Sequence, residues 1–166
     1  MASDLTREGL GTAPRSLHIV CFGNELHGDD GFGPAVHARL AAGPLPPGVR
    51  LLRADLAGLA AIGCFEGCDD AIVVDAVAGF GPPGSLHELD AAGLADAAAR
   101  DEAPGGFHGA GVGSLLRLLP AALPRVPSIR LLGAEIGQLQ PYSPGLSPPV
   151  AAAVATAAAR IRSLWS

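Results

Sequence analysis

The sequence predicts an α/β domain, a three-layer sandwich whose mostly parallel, twisted sheet of about five strands is flanked by helices. Two observations carry this expectation. Short aliphatic runs alternate with helix-like stretches along the whole chain, the order that builds parallel βαβ units. One run, Ala71-Ile72-Val73-Val74-Asp75-Ala76-Val77, is almost unbroken, as in a strand buried on both faces. The chain of 166 residues shows no internal repeat or linker and is long enough for one sizeable core. The expected organisation is a flexible tail over 1–15 and a single domain over 16–166.

The elements follow in order. Ser16 to Phe22 reads as the first strand, and Ala35 to Leu40 as a helix after a glycine-rich turn. Val49 to Ala54 is a second strand, with a short helix over Gly58 to Phe65. After the buried strand, Gly84 to Leu89 reads as an exposed edge strand and Ala91 to Arg100 as a helix. Helical spacing resumes over Gly111 to Leu119, with Leu115, Leu116, Leu118 and Leu119 as its apolar face. Ser128 to Ala134 is the last strand. Ser147 is placed to cap the final helix, with Pro148 and Pro149 in its first turn, where missing N–H groups do no harm. Val150, Val154, Ala157, Ile161 and Leu164 mark its buried stripe.

Composition removes several functions. A formal net charge of -5 gives no electrostatic footprint for nucleic acid. All eleven basic residues are arginine, which rules out Schiff-base chemistry and a phosphate-binding P-loop. Cys21, Cys64 and Cys68 do not make a disulfide framework, and Cys64 and Cys68 read as small apolar side chains on one helix face. No run approaches the ~20 apolar residues that span a bilayer, and Met1 to Arg15 has no signal-peptide core. The expectation is a soluble, cytoplasmic monomer.

The most informative segment is Gly23-Asn24-Glu25-Leu26-His27-Gly28-Asp29-Asp30-Gly31-Phe32-Gly33-Pro34. A strand empties into a glycine-rich turn that sets two adjacent carboxylates at the start of a helix. One such oxygen suffices for a cap, so the second acid is surplus to folding. The glycines miss the Gly-x-Gly-x-x-Gly spacing of a dinucleotide site, and the acids would repel a phosphate; the turn suits a cation. Sites in open parallel sheets form outside the carboxyl ends of the strands. That rim collects Asp29 and Asp30 after the first strand, Asp75 at the end of the buried strand, and His108 before a helix. An acid after Ile72-Val73-Val74 is costly to bury without a partner or a site. Carboxylates plus an imidazole suit a divalent first-row metal. Glu25 and Glu135 read as peripheral.

With these residues assembled, the sequence resembles the nickel–iron hydrogenase maturation proteases. The likeness lies in Gly23-Asn24 followed by Asp29-Asp30-Gly31-Phe32-Gly33, in Val73-Val74-Asp75-Ala76-Val77, in Phe107-His108-Gly109-Ala110-Gly111, and in Gly145-Leu146-Ser147-Pro148-Pro149-Val150. It runs in the family's order from about Leu17 to Leu164. The resemblance implies that Asp30, Asp75 and His108 are the catalytic, metal-contacting trio. Asp29 and Asp55 are secondary candidates; Asp55 falls in Asp55-Leu56-Ala57-Gly58, where many members have Asp-Gly-Gly-Thr. It further implies an aspartic-type endopeptidase that trims the C-terminal extension of a hydrogenase large-subunit precursor. No cofactor is resident; the nickel is presented by the substrate. Either that metal polarises the scissile carbonyl or a carboxylate activates water. A non-enzymatic nickel-holding maturation chaperone built on the same three residues is the alternative from another class.

Overall fold

The computed structural model describes residues 14–55, 59–90, 92–94, 96, 110–137 and 142–165. Its sheet has five strands: β1 (Leu17–Phe22), β2 (Val49–Ala54), β3 (Asp70–Val77), β4 (Leu86–Leu89) and β5 (Ser128–Glu135). The spatial order is β2-β1-β3-β5-β4. Four strands run parallel and β4 pairs antiparallel to β5 as an edge. Helices α1 (Phe32–Ala41), α2 (Ala110–Ala122) and α3 (Pro148–Arg162) accompany them.

Strand alternation divides the core into two layers. Ile19, Cys21, Ile72, Val74, Leu132 and Ala134 face Val36 and Leu40 of α1 and Val150, Ala157 and Ile161 of α3. Val20, Phe22, Ala71, Val73, Val77 and Leu131 face Phe65 and the α2 residues Val112, Leu115 and Leu119. The sandwich is therefore helix, sheet, helix, as the sequence predicts.

Several expectations are corrected. The short helix before β3 is a 3-10 segment, Leu59–Phe65. Cys68 lies beyond it, buried, so Cys64 and Cys68 share no helix face. On α2, Leu118 is exposed and Val112 takes a core position instead. Leu164 sits past the end of α3 and is also exposed, while Ala153 and Ala158 join the buried stripe. Arg15, assigned to the tail, forms a two-bond ion pair with Asp70 at 2.8 and 3.0 Å. Residues 1–13, and the expected helix over 91–100 apart from 92–94 and 96, lie outside the described residues.

The α2 hairpin back to the sheet is anchored at the amino rim. Arg125 donates to the Asp69 carboxylate at 2.7 Å and to the Cys68 carbonyl at 3.4 Å. The Ser16 backbone N–H, then Arg125, hold the Asp69 carboxyl down to about 2. With the C-terminal end of α2 fixed beside the start of β3, its N-terminal end points toward the carboxyl rim. Among the described residues no helix is long and apolar enough to cross a membrane.

Candidate active site

β1 connects through α1 to β2 on one side, and the chain then crosses to β3 on the other side of β1. This reversal opens a crevice at the carboxyl ends of β1 and β3, where ligands of such sheets bind. The turn leaving β1 is shaped by glycine. Gly23 has φ 125°, and a Cβ there would overlap the Asp30 carbonyl oxygen. A Cβ on Gly33 would overlap the Phe22 carbonyl oxygen, so only glycine lets α1 start this close to β1.

The two adjacent acids do different things, and neither caps α1. Its N-cap is Gly31, with no side-chain cap bond. Asp29 is fully buried and accepts from the Gly137 N–H at 2.8 Å, the Ser147 N–H at 2.6 Å and the Ser147 hydroxyl at 2.8 Å. It joins the turn after β1 to the end of β5 and the start of α3. Ser147 does occupy the N-cap position of α3, but its hydroxyl serves Asp29 rather than the helix. Asp30 is half-buried and, among the described residues, accepts from the Asn24 N–H at 2.9 Å.

Asp75 is on β3, 5% exposed, with its side chain on the α2 face by alternation with Val73 and Val77. It stands one residue beyond the last β1–β3 pair, Cys21↔Val74, level with Phe22, the last residue of β1. Its Oδ1 accepts from the Ala76 N–H at 2.9 Å. Burial, and then the nearby Asp30 charge, push its carboxyl up to about 8. Two carboxyl groups thus converge at the crevice in an electrostatically unfavourable arrangement. A divalent cation between them would cancel the repulsion. His108 lies outside the described residues; α2, which begins two residues later, packs on the face that Asp75 shares.

The remaining candidates have structural work. Asp55 is exposed and pairs with Arg53 at 2.6 Å, which also reaches Glu25 at 3.7 Å. Glu135 is buried, contrary to a peripheral reading, and accepts from the Gly79 and Phe80 N–H groups at 2.7 and 3.0 Å, bracing the loop after β3. His18 is buried with Nδ1 2.8 Å from the Cys64 carbonyl. Burial pushes the Cys21 thiol up to about 12 and raises Cys64 and Cys68 as well. None is a ready nucleophile.

A sequence profile described as HycI, hydrogenase maturation protease, matches residues 34–164. The chain belongs to the hydrogenase maturation protease family. Its members are peptidase hydrolases, and solved relatives share the fold over nearly the whole length. The hydrogenase maturating endopeptidase HybD from E. coli superposes with a TM-score of 0.76 at 24% identity, covering 88% of this chain and 89% of that one. HybD from Thermococcus kodakarensis gives 0.73 at 22% identity, covering 90% and 98%. The hydrogenase 2 maturation peptidase from Thaumarchaeota archaeon SCGC_AB-539-E09 gives 0.65 at 30% identity, covering 92% and 99%. No curated protein sequence matches the chain.

The residues that sequence reasoning missed support this turn from a distance. Gly137 and Ser147 are 108 and 118 positions from Asp29. Only the Gly-Leu-Ser-Pro run hinted that Ser147 mattered, and it hinted at a helix cap.

Proposed function

We propose that this protein is the endopeptidase that removes the C-terminal extension of a nickel-loaded hydrogenase large-subunit precursor. The observation that carries the reading is the convergence of Asp30 and Asp75 at the strand-order reversal, one half-open and one buried. The nickel arrives with the substrate. Asp30, Asp75 and His108 contact it there, so that only a loaded precursor is held with its scissile bond in the crevice.

The roles divide by environment. Asp30, half-buried, meets the metal first. Asp75 reaches it from inside the sheet edge and loses its proton as the cation offsets the Asp30 charge. His108 supplies the nitrogen donor that two hard carboxylates lack. Asp29 takes no part in the chemistry; it fixes the turn by joining it to β5 and α3. Family membership as a protease supports a cleaving enzyme over the nickel-holding chaperone.

The test is mass analysis of precursor after incubation with wild-type protein, Asp30→Asn, Asp75→Asn and His108→Ala. Wild type should remove the extension, and each variant should leave it. Normal trimming by Asp30→Asn and His108→Ala would refute the site.

A further inference from the structure

The carboxyl rim also carries an apolar surface that the acid pair leaves unexplained. Tyr142, the only tyrosine of the chain, is 88% exposed, and Leu26 is 55% exposed. His27, next to Leu26, meets the Tyr142 ring edge-on, with centroids 5.8 Å apart and planes at 77°. Among the described residues Tyr142 is the only non-glycine with positive φ, at 59°, a conformation disfavoured for a bulky side chain. Leu26 and Tyr142 thus stand exposed on two loops that meet at the His27 and Tyr142 rings, and exposed apolar groups on one rim mark an interaction site more than scattered ones do.

This surface is built and continuous with the acid pair. The Gly28 N–H donates to the Ser143 carbonyl at 2.8 Å, and His27 and Ser143 form a parallel bridge, joining the two loops. The Asn24 N–H donates to the Asp30 carboxylate at 2.9 Å, while the Asn24 side-chain oxygen accepts from the Leu26 N–H at 2.9 Å. Leu26 is therefore positioned by the same residue that holds Asp30. A polypeptide that brings a bond to Asp30 passes beside this loop. Aromatic rings with two torsions give contact area at low entropic cost.

We propose that Leu26, His27 and Tyr142 form a docking ledge for an apolar side chain of the precursor, flanking the bond that is cut. The inference rests on the endopeptidase reading and adds to it a specificity-determining surface outside the metal-contacting trio.

The test uses the nickel-loaded large-subunit precursor from the same source. Asn accepts the backbone of position 142, so Tyr142→Asn removes the ring without added strain, and Leu26→Ser removes the other anchor. Both should melt at the wild-type temperature. Each should raise KM for trimming about 10-fold, the loss of one buried apolar side chain. Tyr142→Phe should restore it, and Leu164→Ser, an exposed apolar residue after α3, should match wild type. Affinity is measured separately on the Asp30→Asn background. There, precursor binding weakened about 10-fold by Tyr142→Asn upholds the ledge even if wild type fails to trim, which would refute the reaction alone. Unchanged affinity in both ledge variants overturns the ledge. So does a dimer in sedimentation that Tyr142→Asn converts to monomer while trimming stays normal, since the ledge would then serve a second copy.

Discussion

Asp29 and Asp30 are neighbours with opposite environments, and the difference predicts opposite phenotypes. Asp29 is buried under three hydrogen bonds from Gly137 and Ser147, and bonds to a charged acceptor are worth about 1.5–3 kcal/mol each. Asp29→Asn keeps the shape but loses the charge and turns a donor toward other donors. Urea unfolding should show it destabilised by about 2–4 kcal/mol, whereas Asp30→Asn should unfold within about 1 kcal/mol of wild type. Equal losses would contradict the division of labour. Asp75 supplies a pH signature. A carboxyl in the unfolded chain titrates near 3.9, and that of folded Asp75 near 8. Between these values the native state holds the extra proton, so stability falls as pH rises from about 4 to about 8 and then levels. Asp75→Asn removes that slope. Relative to wild type it should gain about 1–3 kcal/mol between pH 4 and pH 8, while trimming is lost. A difference from wild type that does not change with pH would contradict the buried, protonated carboxyl.

At the scale of elements, the chain wrote its strands plainly. β2 spans Val49–Ala54 as its apolar run predicts, and β3 extends its run by one residue, to Asp70. A strand buried on both faces leaves an unbroken aliphatic signature, and that signature also exposed Asp75 as an anomaly. The short 3-10 segment was harder to read, because Leu59–Phe65 and an α-helical turn share one composition. The tie from Asp29 to Ser147 was invisible, since a hydrogen bond across 118 positions leaves no periodic trace. The same holds for the ledge: nothing local to Tyr142 says that it faces His27. Glycine, by contrast, was legible and consequential. Gly33→Ala would drive its methyl into the Phe22 carbonyl, pushing α1 off β1 at a cost of about 2–3 kcal/mol. Thermal unfolding should show that loss, while Gly63→Ala, whose added methyl would meet no atom within 4 Å, should stay near wild type. Equal melting of the two would contradict the close approach.

Across the whole molecule, the fold explains why distant acids meet. Reversal of strand order between β1 and β3 leaves a gap at the carboxyl rim, and the first turn and the end of β3 open into it. Asp29 ties that turn to β5 and α3, so the mouth of the crevice is braced by both ends of the chain's core. The family's order of motifs suggested the trio Asp30, Asp75 and His108, where spacing alone left each residue with a structural alternative; the structure sets Asp30 and Asp75 near each other at the carboxyl rim, and His108 lies outside the described residues. The central claim is that this trio reads the precursor's nickel and directs cleavage. The most direct measurement is the mass of nickel-loaded and nickel-free precursor after exposure to wild type, Asp30→Asn and His108→Ala. Loss of the extension only from loaded precursor, and only with wild type, is the predicted result. Trimming by both variants, or equal trimming of nickel-free precursor, would contradict it.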